Sequence, residues 1–315
     1  MKVRFWGVRG SYPVPGPSTN RYGGNTSCVE VQPSTGEIII FDAGTGIRKL
    51  GQRLAAGRCA QPSCTVSILF SHMHWDHVQG LPFFSPLHQP QNRIRIYSSA
   101  HGDAHLRRIF EQTAAQPYFP IGFSDFKSTV EFVNLQENAE FDIGAVHVRT
   151  SPLNHPFAAT AYRCDGPLGS VMYASDTAPF CDMLLGDEFI PAPPGPEDLT
   201  DQDRQRLATM QKSLVALATG VDLLVYDTHF TMDEYRANPH FGHSAPEHAI
   251  EIALKAGAKG LCLFHHAPNH DDDDMDRIVD QARKLGQGRL RITAAREGEL
   301  VDTKTGRATD DKEER

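Results

Sequence analysis

A short segment of the chain concentrates side chains that can bind metal ions. Residues 71–80 read SHMHWDHVQG, and the candidate ligands are His72, His74, Asp76 and His77. Neutral imidazole and carboxylate are the groups that hold zinc and similar divalent ions. With 15 histidines in 315 residues, the pattern H-x-H-x-D-H would arise by chance in roughly one of several hundred such chains. The segment therefore predicts a metal site.

The segment follows an apolar run, Thr65–Phe70, and the end of a rigid strand is where a site can be held in fixed geometry. Further strands are predicted on β-branched and aromatic runs: Lys2–Val8, Ser27–Val31, Glu37–Asp42, Arg93–Ser98, Thr129–Leu135, Val146–Thr150, Ala159–Cys164, Ser170–Ala174, Asp222–Tyr226 and Gly260–Phe264. Helices are predicted at Ile47–Ala56, Asp103–Thr113, Asp203–Thr219, Ala245–Ala256 and Asp274–Leu285. This mixture indicates a layered α/β protein.

Composition narrows the function classes. The formal net charge of −8 gives no long-range attraction to a polyanion, so nucleic acid is not favoured as a partner, and no basic run provides a local patch. No stretch approaches 18 uninterrupted apolar residues and the N-terminus lacks a signal-peptide core. We expect a cytoplasmic protein without a membrane partner, whose six cysteines are reduced.

The motif resembles the hallmark of the metallo-β-lactamase superfamily, in which H-x-H-x-D-H lies on the loop after a strand. The family's later ligands match the segments LNHP, YASDT and LFHH, that is His155, Asp176 and His265. The resemblance implies that His72, His74 and His155 hold one metal ion. It implies that Asp76, His77 and His265 hold the other, with Asp176 between them. Adjacent residues at a strand end face opposite ways, so His265 is favoured over His266.

The C-terminal motifs are similar to the phosphodiesterase branch that includes ribonuclease Z. There a Glu and a His form a pair beside the leaving group, and the matching residues here are Asp227, in DTHF, and His243, in FGHSA. Asp replaces the family's Glu, whereas a capping role before the following helix is the alternative for His243. Asp42 matches a buried carboxylate beneath the metal loop, for which a plain turn residue is the alternative.

The fold implied by this resemblance is the four-layer αββα sandwich. We expect one domain over residues 1–302, with halves meeting near Phe180 and Cys181, a Pro-rich surface insertion near 180–200, and a flexible tail over 303–315. The opening motifs FWGVRGS and RYGGNTSC resemble a bacterial group of the branch, and Gly23-Gly24-Asn25 is read as a tight turn rather than a phosphate cradle.

The implied activity is hydrolysis of a small phosphodiester, such as a cyclic nucleotide. Two divalent ions roughly 3.5–4 Å apart can lower the pKa of a shared water and stabilise charge on the phosphoryl group. Zinc is the default, with manganese or iron fitting the same donors. Asp76 would accept the water's proton, and His243, beside Asp227, would donate to the leaving oxygen.

Four alternatives stay open at this level. An RNA nuclease of the ribonuclease Z type normally carries a separate arm for tRNA, which this sequence lacks. A lactone or thioester hydrolase would not require His243. An iron-dependent oxidoreductase would use the same ligands, and a non-catalytic module would have no reason to keep so many charges together. Homodimers are common among relatives.

Three further features of the sequence each have a structural and a functional interpretation. Asp271–Asp274 is read as a charged helix cap rather than a third metal site. His229, two residues after Asp227, is read as facing the pocket or supporting it. Four aromatic residues could form an apolar wall for a base, with ordinary core packing as the alternative: Phe83, Phe84, Tyr118 and Phe119.

Overall fold

The fold comes from a computed structural model, which describes residues 1–60, 63–99, 103–113, 120–186 and 199–309. Fourteen strands form two seven-stranded sheets within these ranges. They are β1 Lys2–Gly7, β2 Cys28–Gln32, β3 Ile38–Phe41, β4 Thr65–Leu69, β5 Arg93–Ser98, β6 Thr129–Asn134, β7 Glu140–Ile143, β8 Val146–Pro152, β9 Thr160–Gly166, β10 Gly169–Ala174, β11 Leu223–Asp227, β12 Gly260–Phe264, β13 Arg291–Ala294 and β14 Leu300–Asp302.

Seven α-helices accompany these strands in the described ranges, and short 3-10 turns link several of them. The helices are α1 Ile47–Ala56, α2 Trp75–Val78, α3 Asp103–Thr113, α4 Asp201–Ala218, α5 Met232–Ala237, α6 Pro246–Ala256 and α7 Asp272–Gly286. Both α4 and α7 begin at a side-chain cap, supplied by Thr200 and Asp271. Such caps satisfy backbone amides that have no partner within the helix.

The two sheets pack face to face, with helices on both outer surfaces. The first sheet has the order β14-β1-β2-β3-β4-β5-β6 and the second β13-β12-β11-β10-β9-β8-β7. Side chains of both sheets fill the layer between them, where the Phe41 and Tyr173 rings stack at 4.8 Å. One outer layer packs α1 on the first sheet, and the other packs α4, α6 and α7 on the second. The predicted αββα sandwich is confirmed.

Parallel strands bring the ends that matter to one edge. Strands β3 to β6 are parallel in the first sheet, and β10 to β13 are parallel in the second. A candidate site residue ends β11 or follows within three residues of the carboxyl ends of β3, β4, β10 and β12. Loops at the carboxyl ends of parallel strands form the usual ligand crevice of α/β sheets.

The expected boundary between the halves, at Phe180 and Cys181, is wrong. The chain passes from the first sheet to the second between β6 and β7, and β14 then returns to pair with β1. The expected flexible tail also does not begin at 303, because Thr303 is buried and its hydroxyl donates to the Met1 carbonyl. Backbone hydrogen bonds hold the described chain as far as Thr309.

The cysteine prediction is wrong for one pair, since Cys59 and Cys64 form a disulfide just after α1. The other four cysteines are free. In the Pro-rich insertion, residues 187–198 lie outside the described part of the chain. None of the helices that the structure describes is long and apolar enough to cross a membrane.

Candidate metal centre

Three site residues end their strands in an unusual backbone conformation. Asp42 follows β3 and has φ of 58°. Asp176, after β10, has φ of 60°, and His265, after β12, has φ of 62°. Residues other than glycine rarely adopt the left-handed region, and such strain clusters at functional sites. The conformation turns each side chain out of the strand's alternation and into the gap between the two sheets' ends.

The structure brings all seven candidate ligands together. One group consists of His72, His74 and His155, and the other of Asp76, His77, Asp176 and His265. Within each group the candidate ligand atoms lie within 4.8 Å of one another. Asp176 lies between the groups, with Oδ1 3.3 Å from His77 Nε2 and 3.2 Å from His265 Nε2. Its Oδ2 faces the first group, at 3.9 Å from His155 Nε2.

The imidazoles fit a metal ion because their other nitrogens are already used. His155 Nδ1 donates to the Gly242 carbonyl at 2.8 Å, which leaves the lone pair on Nε2. That atom lies 3.1 Å from His74 Nδ1. The Nε2 atoms of His72 and His77 are buried and have no hydrogen-bond partner. Buried polar atoms without partners are costly, and a cation among these nitrogens satisfies them.

Asp42 orients the metal loop from below. Its buried carboxylate accepts hydrogen bonds from His77 Nδ1 at 2.7 Å, the Tyr173 hydroxyl at 2.7 Å and the Ser71 amide at 2.7 Å. The Ser71 hydroxyl also donates to it and lies 3.0 Å from His72 Nδ1. Asp42 therefore fixes the ring orientation of two candidate ligands, which is the role that carboxylates beneath metal-binding histidines perform. A residue that only formed a turn would not require these contacts.

Protonation differs between the two groups. Burial lowers the pKa of His72 and His74, and it lowers the pKa of His155 to about 3, so these imidazoles stay neutral as metal binding requires. Burial would raise the pKa of Asp76, but the neighbouring histidines outweigh it and the pKa falls well below its usual range. Asp176 behaves in the same way.

Asp227 and His243 form a hydrogen-bonded pair beside the cluster. His243 Nδ1 donates to Asp227 Oδ2 at 3.0 Å, and the same oxygen accepts the Thr177 amide at 2.9 Å. The His243 ring lies 5.4 Å from the ring of His155. Burial would lower the pKa of His243, but the Asp227 carboxylate outweighs it and raises that pKa. The shorter Asp reaches this histidine despite replacing Glu.

His229 supports His243 from the other face. The two rings stack at 4.4 Å, and His229 Nδ1 donates to the His265 carbonyl at 3.0 Å. Burial lowers the pKa of His229 well below its usual value.

The geometry also distinguishes His265 from the adjacent His266. His266 Nε2 donates to the Ala295 carbonyl at 2.9 Å, away from the cluster that His265 enters.

Sequence reasoning missed the backbone contributions to the site. The Ser11 amide donates to Asp76 Oδ2 at 2.8 Å. A Cβ on Gly10 would lie 2.5 Å from the His265 ring, and one on Gly242 would lie 2.4 Å from His155 Nδ1. Both glycines lie in the motifs FWGVRGS and FGHSA. The spacing of residues in a motif does not predict which backbone segment will approach a metal ligand.

Other predicted features fall outside the cluster. Phe84 is buried in the core beneath α1, whereas Phe83 is about half exposed; Tyr118 and Phe119 lie outside the described residues. Asp271 caps α7 by accepting amides of the following turn. The turn lies at residues 20–22, just before the predicted position, and Gly23, Gly24 and Asn25 are irregular backbone, where the Gly24 and Asn25 amides donate to Glu297.

Comparisons with known proteins agree with this architecture. The model of the β-lactamase superfamily domain matches residues 37–192, which include the H-x-H-x-D-H segment, His155 and Asp176. Ribonuclease Z of Haloarcula marismortui is 23% identical over 320 residues, covering 92% of this chain and 93% of its own. The matched family model, the relatives and the fold together support a metallo-β-lactamase superfamily hydrolase of the ribonuclease Z-like branch.

Two solved structures share the fold. The metallo-β-lactamase fold protein YhfI from Bacillus subtilis superposes with a TM-score of 0.65 at 19% identity, covering 95% of this chain and 97% of its own. A diphosphatase from the PhnP family gives a TM-score of 0.62 at 18% identity, covering 96% and 97%. The fold implies divalent metal ions, and the histidine and aspartate cluster provides their ligands.

Proposed function

We propose that this protein is a phosphodiesterase that hydrolyses small phosphodiesters, cyclic nucleotides among them, with water activated at a centre of two divalent ions. The observation that carries the proposal is the Asp227–His243 pair beside the ligand cluster. A thioester expels a thiolate, which leaves without such a proton donor. A phosphodiester expels an alkoxide, and a positioned acid at that oxygen accelerates its departure.

The candidate ligands would hold two metal ions. His72, His74 and His155 would hold one ion, Asp76, His77 and His265 the second, with Asp176 shared between them. When bound, two such ions lower the pKa of water and offset negative charge on the phosphoryl oxygens. Zinc is the proposed metal, and manganese or iron would suit the same donors.

Two proton positions follow from the hydrogen bonds. Asp76 Oδ2 is held by the Ser11 amide at 2.8 Å, so this carboxylate is positioned to accept the proton of the attacking water. His243 uses Nδ1 for Asp227, which leaves Nε2 for the phosphoryl or leaving oxygen. Since Asp227 raises the pKa of His243, the imidazole holds its proton more readily and can donate it.

The test measures hydrolysis of methyl p-nitrophenyl phosphate and 3′,5′-cyclic AMP by metal-analysed protein. We expect turnover of both substrates with about two ions per chain. For His243→Ala, kcat should fall roughly 10²–10⁴-fold with 3′,5′-cyclic AMP, which expels an alkoxide, and much less with the p-nitrophenyl ester, whose phenolate leaves without a proton donor. His147→Ala is the control, because His147 lies at the opposite end of β8 and pairs with Asp142. Metal-loaded protein that turns over neither substrate would contradict the proposal.

Ribonuclease Z-type cleavage of RNA is the second candidate, and the names of the curated relatives favour it. Against it, the sequence has a net charge of −8 and no basic, Gly-rich arm for gripping tRNA. A precursor tRNA assayed beside the small substrates decides between them. The proposed partner is a small molecule, and homodimer formation stays a prediction that sedimentation equilibrium can check.

A further inference from the structure

Several aromatic side chains of the described chain are exposed to solvent, and two of them lie close in sequence to site histidines. Among the described residues, five aromatic side chains are about half exposed, namely Tyr12, Trp75, Phe83, Phe157 and Phe241. Single exposed apolar residues need no explanation, but a group at a site does. Phe157 lies two residues after His155 and Phe241 two residues before His243, and we call them the aromatic pair.

The two turns that carry the aromatic pair touch each other. Gly242, directly after Phe241, accepts the hydrogen bond of His155 Nδ1 through its carbonyl. A Cβ on Gly242 would lie 3.0 Å from Pro156, the residue before Phe157. The Phe157 ring packs edge to face on His74, with ring centroids 5.7 Å apart. The Phe157 ring thus lies against a candidate ligand, and the backbone next to Phe241 contacts another ligand of the same group.

The backbone holds Phe157 in a strained position. Its φ is 63°, and that of Ala158 is 58°, so two consecutive residues with a Cβ occupy the left-handed region. Backbone strain of this kind is unfavourable for residues with a Cβ, and it is found at ligand clamps. The Phe157 amide donates to the Gly186 carbonyl at 3.3 Å, which helps to keep the turn in place. The result is a large apolar ring that faces solvent beside a polar cluster.

We propose that the aromatic pair is a subsite for the base of a nucleotide whose phosphate lies at the metal centre. This inference rests on the proposed function and names its substrate class. Bases stack on aromatic side chains through their π-faces, and a nucleotide joins such a base to the phosphate that the cluster is built to bind. An aliphatic ester group would gain little from two planar rings.

A second copy of the chain is a poorer occupant of this surface. Two phenylalanine rings, each about half exposed, offer roughly 200 Å² together, given about 150–250 Å² for a whole aromatic side chain. A stable protein interface needs about 800 Å² from each partner. A flat partner would also cover the polar cluster and leave its charged groups without water or substrate.

The experiment compares binding of AMP and ribose 5-phosphate to the metal-loaded protein by isothermal titration calorimetry. The two ligands share the sugar and the phosphate, so their affinity ratio isolates the base. We expect AMP to bind on the order of tenfold more tightly or better. Phe157→Ala and Phe241→Ala should each reduce this ratio several-fold, and Phe157→Leu, which keeps an apolar side chain, should reduce it too.

Leu168→Ala is the matched control, because Leu168 is equally exposed but lies in the β9–β10 turn at the far end of the sheet. It should leave the ratio unchanged. Equal affinity for AMP and ribose 5-phosphate in the wild type, or a ratio that survives both alanine variants, would overturn the inference. So would loss of a dimer in these variants with an unaltered ratio.

Failure of the inference and failure of the proposed function give different results. Methyl p-nitrophenyl phosphate carries no base, so its turnover by wild-type protein tests the hydrolytic activity alone. Turnover without a base preference leaves the phosphodiesterase proposal standing and removes the subsite. A base preference without turnover keeps the subsite and contradicts the hydrolytic activity.

Discussion

The two ends of strand β11 each hold a buried aspartate, and their neighbours differ. Just before the first residue of β11, Asp222 accepts hydrogen bonds from the Lys259 ammonium at 2.7 Å and from the Ser170 amide at 2.9 Å. At the other end, Asp227 accepts hydrogen bonds from His243 Nδ1 at 3.0 Å and from the Thr177 and His229 amides, both at 2.9 Å. One carboxylate is paired with an exposed lysine, whereas the other is paired with a buried histidine that adjoins the candidate metal ligands.

This difference separates a stabilising contact from a functional one. A carboxylate whose hydrogen bonds and charge are satisfied within the chain adds to folding free energy. At the functional end, the buried Nε2 atoms of His72 and His77 have no hydrogen-bond partner, which is unfavourable for folding and suits the binding of an ion. We therefore expect substitutions at the site end to change metal content and activity, and those at the Asp222 end to change stability.

The largest effect is expected for Asp176→Ala. Because Asp176 lies between the two ligand groups, its loss should remove at least one ion per chain. A bound ion contributes several kcal/mol to the transition state, so kcat should fall on the order of 10³-fold or more. Metal analysis and turnover of methyl p-nitrophenyl phosphate measure both results.

Thermal unfolding with and without EDTA provides the control for this variant. Metal should raise the wild-type melting temperature, since a ligand at 100 times its Kd adds about 2.7 kcal/mol of stability. The increase should be much smaller for Asp176→Ala. A variant that keeps two ions and full activity would show that the carboxylate is not shared between the groups.

Asp227→Asn should have the next largest effect. The amide keeps the shape of Asp227 but no longer carries the charge that raises the pKa of His243. We expect kcat to fall roughly 10²-fold, within the usual range for disturbed acid–base catalysis, with two ions retained. If metal content falls as much as activity, Asp227 belongs with the ligands rather than with the proton donor.

Asp42→Asn should act through the metal loop. Asp42 accepts a hydrogen bond from His77 Nδ1 and fixes that ring, and loss of such a support typically lowers metal affinity 10–100-fold. Competition with a chelator measures this affinity, and excess metal should restore most of the activity. Activity that excess metal fails to restore would place Asp42 in the chemistry itself.

The sequence predicted the strands that end in ligands better than the connections between the sheets. Gly260–Phe264 and Ile47–Ala56 have the predicted bounds, because a buried strand and an amphipathic helix each have a strong apolar pattern. The return of β14 to β1 was missed, since three residues carry too little pattern to identify a strand. Pairing over such a sequence distance depends on tertiary contacts.

The site shows the same division. His72, His74, Asp76 and His77 are adjacent in the chain, so their cluster could be predicted from spacing alone. The Ser11 amide and the close approach of Gly10 to His265 could not be predicted, because backbone contacts depend on how two distant loops meet. The strained φ of 62° at His265 was equally invisible in the sequence.

The smallest effect is expected at the Asp222 end, for Asp222→Asn. Burial would raise the pKa of Asp222, but the Lys259 ammonium and the Ser170 amide outweigh it and lower that pKa. A depressed folded pKa contributes stability above the unfolded value of about 4, and this contribution is lost as the pH falls through the folded value. The exposed lysine limits the effect to about 1–2 kcal/mol at pH 7. Urea unfolding should show this difference at pH 7 and little at pH 3, with kcat unchanged. A fall in kcat without loss of stability would mean that the two ends of β11 are not separate in role.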